Sequence, residues 1–150
     1  MQEKNFMKDE IFLIDTNILV YSYDASEQEK NEICVSLIKK AWMQEITYAI
    51  ALQNLSEFYV IVTKKIEQPL PAEKAKKIVK DIIDFNSWHV ISFNEDTVIN
   101  AIDISVKFKV HYWDALLCAT MKHNGITGIY TENEKDFKKI PWITVENPLD

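Results

Sequence analysis

Glycine is nearly absent from this 150-residue chain, which has only Gly125 and Gly128, and with four prolines and no hairpin dipeptides it lacks the turn chemistry that joins antiparallel strands. Cysteine is as scarce. Cys34 and Cys118 stand alone in helical patterns without C-x-x-C spacing, so they read as small hydrophobes in a reducing compartment rather than as ligands or nucleophiles. His89, His111 and His123 are scattered, and only His111 lies close in sequence to a candidate site. No apolar run could span a bilayer, and the mixed-charge start Met1–Glu10 contains no signal-peptide core, so a cytoplasmic protein with no membrane contact is expected. An excess of positive charge is missing too: the formal net charge is −6, against a general basic surface for nucleic acid. A nuclease is not excluded. Carboxylates gathered around divalent cations count as negative in a sequence sum, although the loaded metal is what faces a phosphate. The same balance favours a basic protein partner.

What is present suffices for a core. With 47% hydrophobic and 27% charged residues, the chain fits one globular domain over residues 1–150. Ile11 to Ile14 is a short all-apolar run, suited to a strand buried on both faces, and it stops at Asp15-Thr16-Asn17. From about Ser26 to Gln44, Ile33, Val35, Leu37, Ile38, Ala41 and Trp42 recur at helical spacing. Glu45 to Ile50 reads as a second strand, and Leu52 to Lys65 as a helix carrying Glu57. Pro71 opens the next helix, which runs to about Phe85 with Lys74, Lys76, Lys77 and Lys80 on a solvated face. Trp88 to Phe93 is a third strand, followed by a helix from Asn94 to Lys107 capped by Asn94 or Asp96. A further helix begins near Tyr112 and ends at Asn124-Gly125. Ile126 to Tyr130 and Trp142 to Val145 complete five strands. Alternation of strand and helix predicts a parallel sheet with helices on both faces.

Asp114 shares a helix face with Leu117, Cys118 and Met121, a lone carboxylate in an apolar stripe. Taken singly it also reads as a first-turn acid, Asp15 as a helix cap, Glu57 as a partner for Lys64 or Lys65, and Asp136 as loop surface. The topology favours a joint role, because the carboxyl edge of a parallel sheet is where sites form. Asp15 ends the first strand there, Glu57 leans back from the helix after the second, and Asp114 opens the helix that runs down into the fourth. The segment Tyr130 to Phe137 follows that strand at the same edge. Carboxylates brought so close repel unless a cation sits between them, and oxygen ligands suit Mg²⁺ or Mn²⁺.

Asp15-Thr16-Asn17, Leu55-Ser56-Glu57-Phe58-Tyr59, Trp113-Asp114-Ala115-Leu116, Tyr130-Thr131-Glu132-Asn133 with Asp136-Phe137, and Ile140-Pro141-Trp142-Ile143 through Asn147-Pro148 occur in order. Together they resemble a PIN-domain ribonuclease, and among these the VapC-type toxins of toxin–antitoxin pairs. The resemblance implies a PIN-like three-layer α/β/α sandwich around a parallel sheet of about five strands. It also implies catalytic, metal-holding roles for Asp15, Glu57 and Asp114. For the fourth position it allows Asn133 or Asp136, and Asp136 is the expectation, with Asn17, Thr131 and Asn133 in support and Glu132 and Glu134 facing solvent. The activity implied is hydrolysis of RNA to 5′-phosphate and 3′-hydroxyl ends, with a homodimer and an antitoxin as partners. A catalytically silent PIN-like domain used for RNA binding or assembly is the alternative. A phosphoacceptor receiver fits poorly, because Asp9 and Glu10 precede the first strand and Glu57 lies on a helix.

Overall fold

The computed structural model describes residues 10–150, so the reading of the charged start, Asp9 included, lies outside the described residues except at Glu10. The first apolar run forms β1 (Phe12–Ile14), and Asp15 turns the chain at once into α1 (Thr16–Tyr21). Next come α2 (Gln28–Trp42), β2 (Tyr48–Ala51), α3 (Leu52–Lys64) and α4 (Ala72–Asp84). After them run β3 (Trp88–Ile91), α5 (Glu95–Phe108), α6 (Tyr112–His123), β4 (Gly128–Tyr130), the single turn α7 (Glu134–Phe137) and β5 (Thr144–Glu146). The sheet order is β3-β2-β1-β4-β5, with every neighbouring pair parallel.

Period-two alternation sorts each strand between two cores. Leu13, Ala49 and Ala51 pack with α5, α6 and α7, whereas Ile14, Tyr48 and Ile50 pack with α1 through α4. The result is the expected α/β/α sandwich with five parallel strands. Cys34 and Cys118 are buried and unpaired, one in each core. Among the described residues no helix is long and apolar enough to cross a membrane.

Two strand bounds shift, the fourth starting at Gly128 rather than Ile126 and the fifth running Thr144–Glu146 rather than Trp142 to Val145, and three further readings change. Ile33 and Val35 are 40% and 41% exposed, because the buried line along α2 is Cys34, Ile38 and Ala41, and residues one step to either side lie about 100° away. The second strand starts at Tyr48 rather than Glu45, since Gln44 adopts a left-handed conformation where α2 ends. The cap of α5 is Asn94 and not Asp96: its side chain accepts from the Thr97 N–H at 3.2 Å.

The order of the strands places the functional edge. From β1 the chain crosses toward β2 on one face, and from β3 it returns to β4 over the other, so the segments leaving the carboxyl ends of the paired strands β1 and β4 run to opposite faces. Such a switch point opens a crevice. The β1–β4 pairing itself relies on Gly128, which stands opposite Phe12, because a Cβ there would sit 2.7 Å from the Phe12 ring. That ring also packs on Tyr130 with centroids 4.7 Å apart. Gly128→Ala is therefore expected to displace Phe12 and lower the unfolding free energy by about 1–3 kcal/mol, read as a lower urea midpoint. An unchanged midpoint would show that the ring is free to move.

Candidate active site

Asp15 stands in the crevice, only 8% exposed. Its Oδ1 accepts from the Thr16 N–H at 2.8 Å and its Oδ2 from the Thr131 hydroxyl at 2.7 Å. Its backbone N–H donates to the Tyr130 carbonyl at 3.0 Å, which ties the end of β1 to that of β4. Burial raises its pKa, the Thr131 and Thr16 donors oppose the rise, and the charge of Glu57 adds to it. Cap and site acid are thus one residue. Asn17 Nδ2 lies 3.4 Å from both Asp15 Oδ2 and Thr131 Oγ1, and its Oδ1 accepts from the Glu132 N–H at 3.3 Å.

Glu57 is held by the same turn. Its Oε1 accepts from the Thr16 hydroxyl at 2.7 Å, and among the described residues it forms no ion pair with Lys64 or Lys65. Thr16 Oγ1 in turn accepts from Asn54 Nδ2 at 3.0 Å, which directs its own proton to Glu57. Asn54 is 1% exposed and makes a second, longer contact of 3.4 Å with Asp15 Oδ1, while its Oδ1 accepts from the Ala51 N–H at 3.0 Å. Sequence reasoning passed over Thr16 and Asn54. The available signal was an amide three residues past the end of a strand, the position of a capping side chain.

Asp114, half-buried in the first turn of α6, is pushed up to about 7. Burial is the main cause, followed by a hydrogen bond with Asp136 and the like charges of Asp15 and Asp136, while His111 works the other way. Asp136 ends below the ordinary value. Burial works against it, but the His111 N–H at 3.3 Å, the Asp114 side chain and the Lys139 ammonium at 3.5 Å outweigh that. The two acids thus shift in opposite directions, Asp114 up and Asp136 down.

These groups surround an open cleft of about 700 Å³. Asp15, Glu57 and Asp114 line it together with Asn17 and Asn133, and Val20, Tyr21, Val60, Ile61 and Lys65 form further wall. Asn133 rather than Asp136 is in the wall, and Asp136 acts on the cleft through Asp114; Thr131 lies beneath it, fully buried. The expectation for Glu132 and Glu134 is corrected. Glu132 accepts from the Tyr21 hydroxyl at 2.6 Å and from Lys30 Nζ at 2.8 Å, and Glu134 from Lys138 at 2.6 Å and Asn147 Nδ2 at 2.9 Å. Both are half-buried, because the chain after β4 folds against α1 and α2 on one side and the final segment on the other.

Among the described residues no histidine or cysteine lines the cleft, and its carboxylate and amide oxygens suit a hard divalent cation, which would offset the like charges that add to burial in lifting Asp114. Among the described residues no three acid, histidine or cysteine side chains are already closed around one point, an arrangement compatible with an ion that keeps several of its waters.

Comparison with known proteins agrees with the geometry. A toxin of Mycobacterium tuberculosis, VapC20, described as cleaving the sarcin–ricin loop, is 16% identical with a TM-score of 0.67, over 91% of this chain and 99% of that one. VapBC2 from Rickettsia felis, solved on a DNA fragment from its promoter, is 20% identical with a TM-score of 0.63, over 91% and 98%. FitAcB from Neisseria gonorrhoeae is 16% identical with a TM-score of 0.66, over 92% and 98%. At these identities the likeness is one of fold. Among curated proteins none matches the chain. The PIN domain family matches residues 12–143. That match begins at the first residue of β1 and ends just before β5, so it takes in every segment that shapes the cleft, and the chain belongs to the PIN domain family.

Proposed function

We propose that this chain is a metal-dependent endoribonuclease, a single PIN domain over residues 1–150 that acts as the toxin of a VapBC-like pair. The observation that carries this reading is the convergence of Asp15, Glu57 and Asp114, from three distant segments, on one cleft at the carboxyl edge of the sheet. PIN-family nucleases generally use divalent metal ions, which supports the same reading. Asp15 and Asp114 would hold Mg²⁺ or Mn²⁺, with Glu57 and, beside Asp114, Asp136 completing the set. When bound, the ion supplies charge neutralisation at the scissile phosphate and an acidified water.

The chain's own groups prepare that chemistry. Thr131 and the Thr16 N–H keep Asp15 aimed at the cleft, and Thr16, steered by Asn54, fixes Glu57. Asp114 is held at about 7 by burial and by the like charges beside it, and Asp136, lowered by the His111 N–H and Lys139, stays the more acidic of the two. Attack by water leaves a 5′-phosphate and a 3′-hydroxyl; mapped ends bearing a cyclic phosphate would overturn that assignment. The reading also assigns a cytoplasmic location, a homodimer and an antitoxin. Neighbours solved as VapBC and FitAB assemblies support the antitoxin.

Partner-free protein on total cellular RNA is expected to cut at a few defined positions with Mn²⁺ or Mg²⁺ and not with EDTA. Asp114→Asn is expected to lower cleavage by about 100-fold or more and to abolish the thermal stabilisation that Mn²⁺ gives the wild type. Neither cleavage nor metal-induced stabilisation in the wild type would leave a silent PIN domain instead.

A pH dependence follows from Asp114. Its folded value of about 7 lies above the ordinary 3.8, so its contribution to stability is full below 3.8 and is lost as pH rises through about 7. Asp15 is shifted in the same direction. Asp136 is shifted in the opposite one, and its contribution is lost only in acid, as pH falls through its lowered value. Metal-free protein is therefore expected to melt at lower temperature at about pH 8 than at about pH 5, and Asp114→Asn to flatten the profile. Metal affinity should weaken as pH falls below about 7, since the ion competes with that proton. Equal melting temperatures at the two pH values would contradict this account.

A further inference from the structure

Tyr21 and Lys65 line the same cleft as the carboxylates, yet neither has a part in holding a metal. The Tyr21 hydroxyl donates to Glu132 Oε1 at 2.6 Å and accepts from Lys30 Nζ at 3.2 Å, and Lys30 closes the triangle with Glu132 Oε2 at 2.8 Å. The Lys30 ammonium also lies 4.9 Å from the centroid of the ring. A ring tethered by α2 and by the segment after β4 cannot swing away, so a flat group stacking on it loses little further freedom. Lys65 closes the C-terminal end of α3, and among the described residues it makes no ion pair. It follows Glu57 by two turns and a little more, about 12 Å along the helix axis. At a rise of ~3.4 Å per stacked nucleotide that is roughly three to four nucleotides of one strand.

We propose that Tyr21 and Lys65 form a binding subsite for unpaired RNA beside the carboxylates, with Tyr21 stacking one base and Lys65 neutralising a backbone phosphate farther along the strand. The proposal rests on the ribonuclease reading above and deepens it by naming two residues outside the acid set that would hold the strand. A base can offer its face to Tyr21 only when it has left a duplex, so the strand at the cleft must be single. Val20, Val60 and Ile61 supply apolar wall for such a base. Lys65 is a cation in an otherwise anionic cleft, a local point of attraction for a backbone phosphate. All 17 of the chain's strongly basic side chains are lysines, so phosphate is met by point charges without a bidentate clamp, a mode that grips the backbone and leaves the base sequence open.

The test is fluorescence anisotropy on the full, partner-free chain with a labelled mixed-sequence oligoribonucleotide, single-stranded and as a duplex. Ca²⁺ replaces the catalytic ions, and the RNA is checked for integrity on a gel. The wild type is expected to prefer the single strand. Tyr21→Ala and Lys65→Glu should each raise Kd about tenfold, and Lys65→Glu should reduce the slope of log Kd against log salt by about 0.7. Tyr21→Phe keeps the ring and should retain most of the binding. Lys74→Glu makes the same charge change on the exposed face of α4 and should leave Kd unchanged, with thermal unfolding confirming that each variant is folded. Absence of wild-type binding, wild-type Kd in Tyr21→Ala, or a loss in Lys65→Glu no larger than in Lys74→Glu would overturn the subsite. Metal-dependent cleavage with unaffected variants sinks the subsite alone; weakened variants with no cleavage of any RNA sink the ribonuclease reading and leave the subsite standing.

Discussion

Asp15 sits at the end of the central strand with little of its surface open to water, and a carboxylate removed from water is costly unless donors replace the lost hydration. The donors are the first N–H of α1 and the hydroxyl of Thr131, so the acid is satisfied only if β1 and β4 lie side by side in the observed register. Asn54 reaches the same carboxylate from the start of α3 and grips the Thr16 hydroxyl, whose proton then fixes Glu57. One buried charge therefore recruits two strands and two helices, and a second acid is oriented as a by-product.

Asp114 is handled by different physics. Where Asp15 is met by neutral donors, Asp114 is met by another acid, Asp136, which is itself anchored by the His111 backbone and Lys139. The two environments give the cleft one carboxylate fixed by donors and one that titrates near neutrality. Environments that differ in this way assign different duties to chemically identical groups.

Much of the fold was legible because it depends on one-dimensional patterns. Short apolar runs marked β1 and β4, Pro71 and Asn94 marked helix starts, and Gly125, with φ of +72°, marked a helix end. The alternation of strand and helix carried the parallel sheet. The edge shared by Asp15, Glu57 and Asp114 followed from that topology, since the carboxyl ends of parallel strands coincide. What escaped depends on direction in space. Thr16 and Asn54 are ordinary polar residues until the fold aims one at the other, and Glu132 looks like loop surface until Tyr21 and Lys30 close on it. The split between Asn133 in the cleft wall and Asp136 beside Asp114 is set by a single helical turn, α7, too short to carry a periodic signal.

The pairing of Asp15 with Thr131 spans 116 residues of chain. During synthesis at roughly 5–20 residues per second, Asp15 waits on the order of ten seconds for that hydroxyl to be made. Glu57 and Asp114 are also translated before it. Parallel sheets with a central first strand close late for the same reason, because a long loop must be ordered before its contacts return anything. The cleft is thus among the last parts of the molecule to exist, and a chain released before Thr131 is a protein with Asp15, Glu57 and Asp114 but without its site.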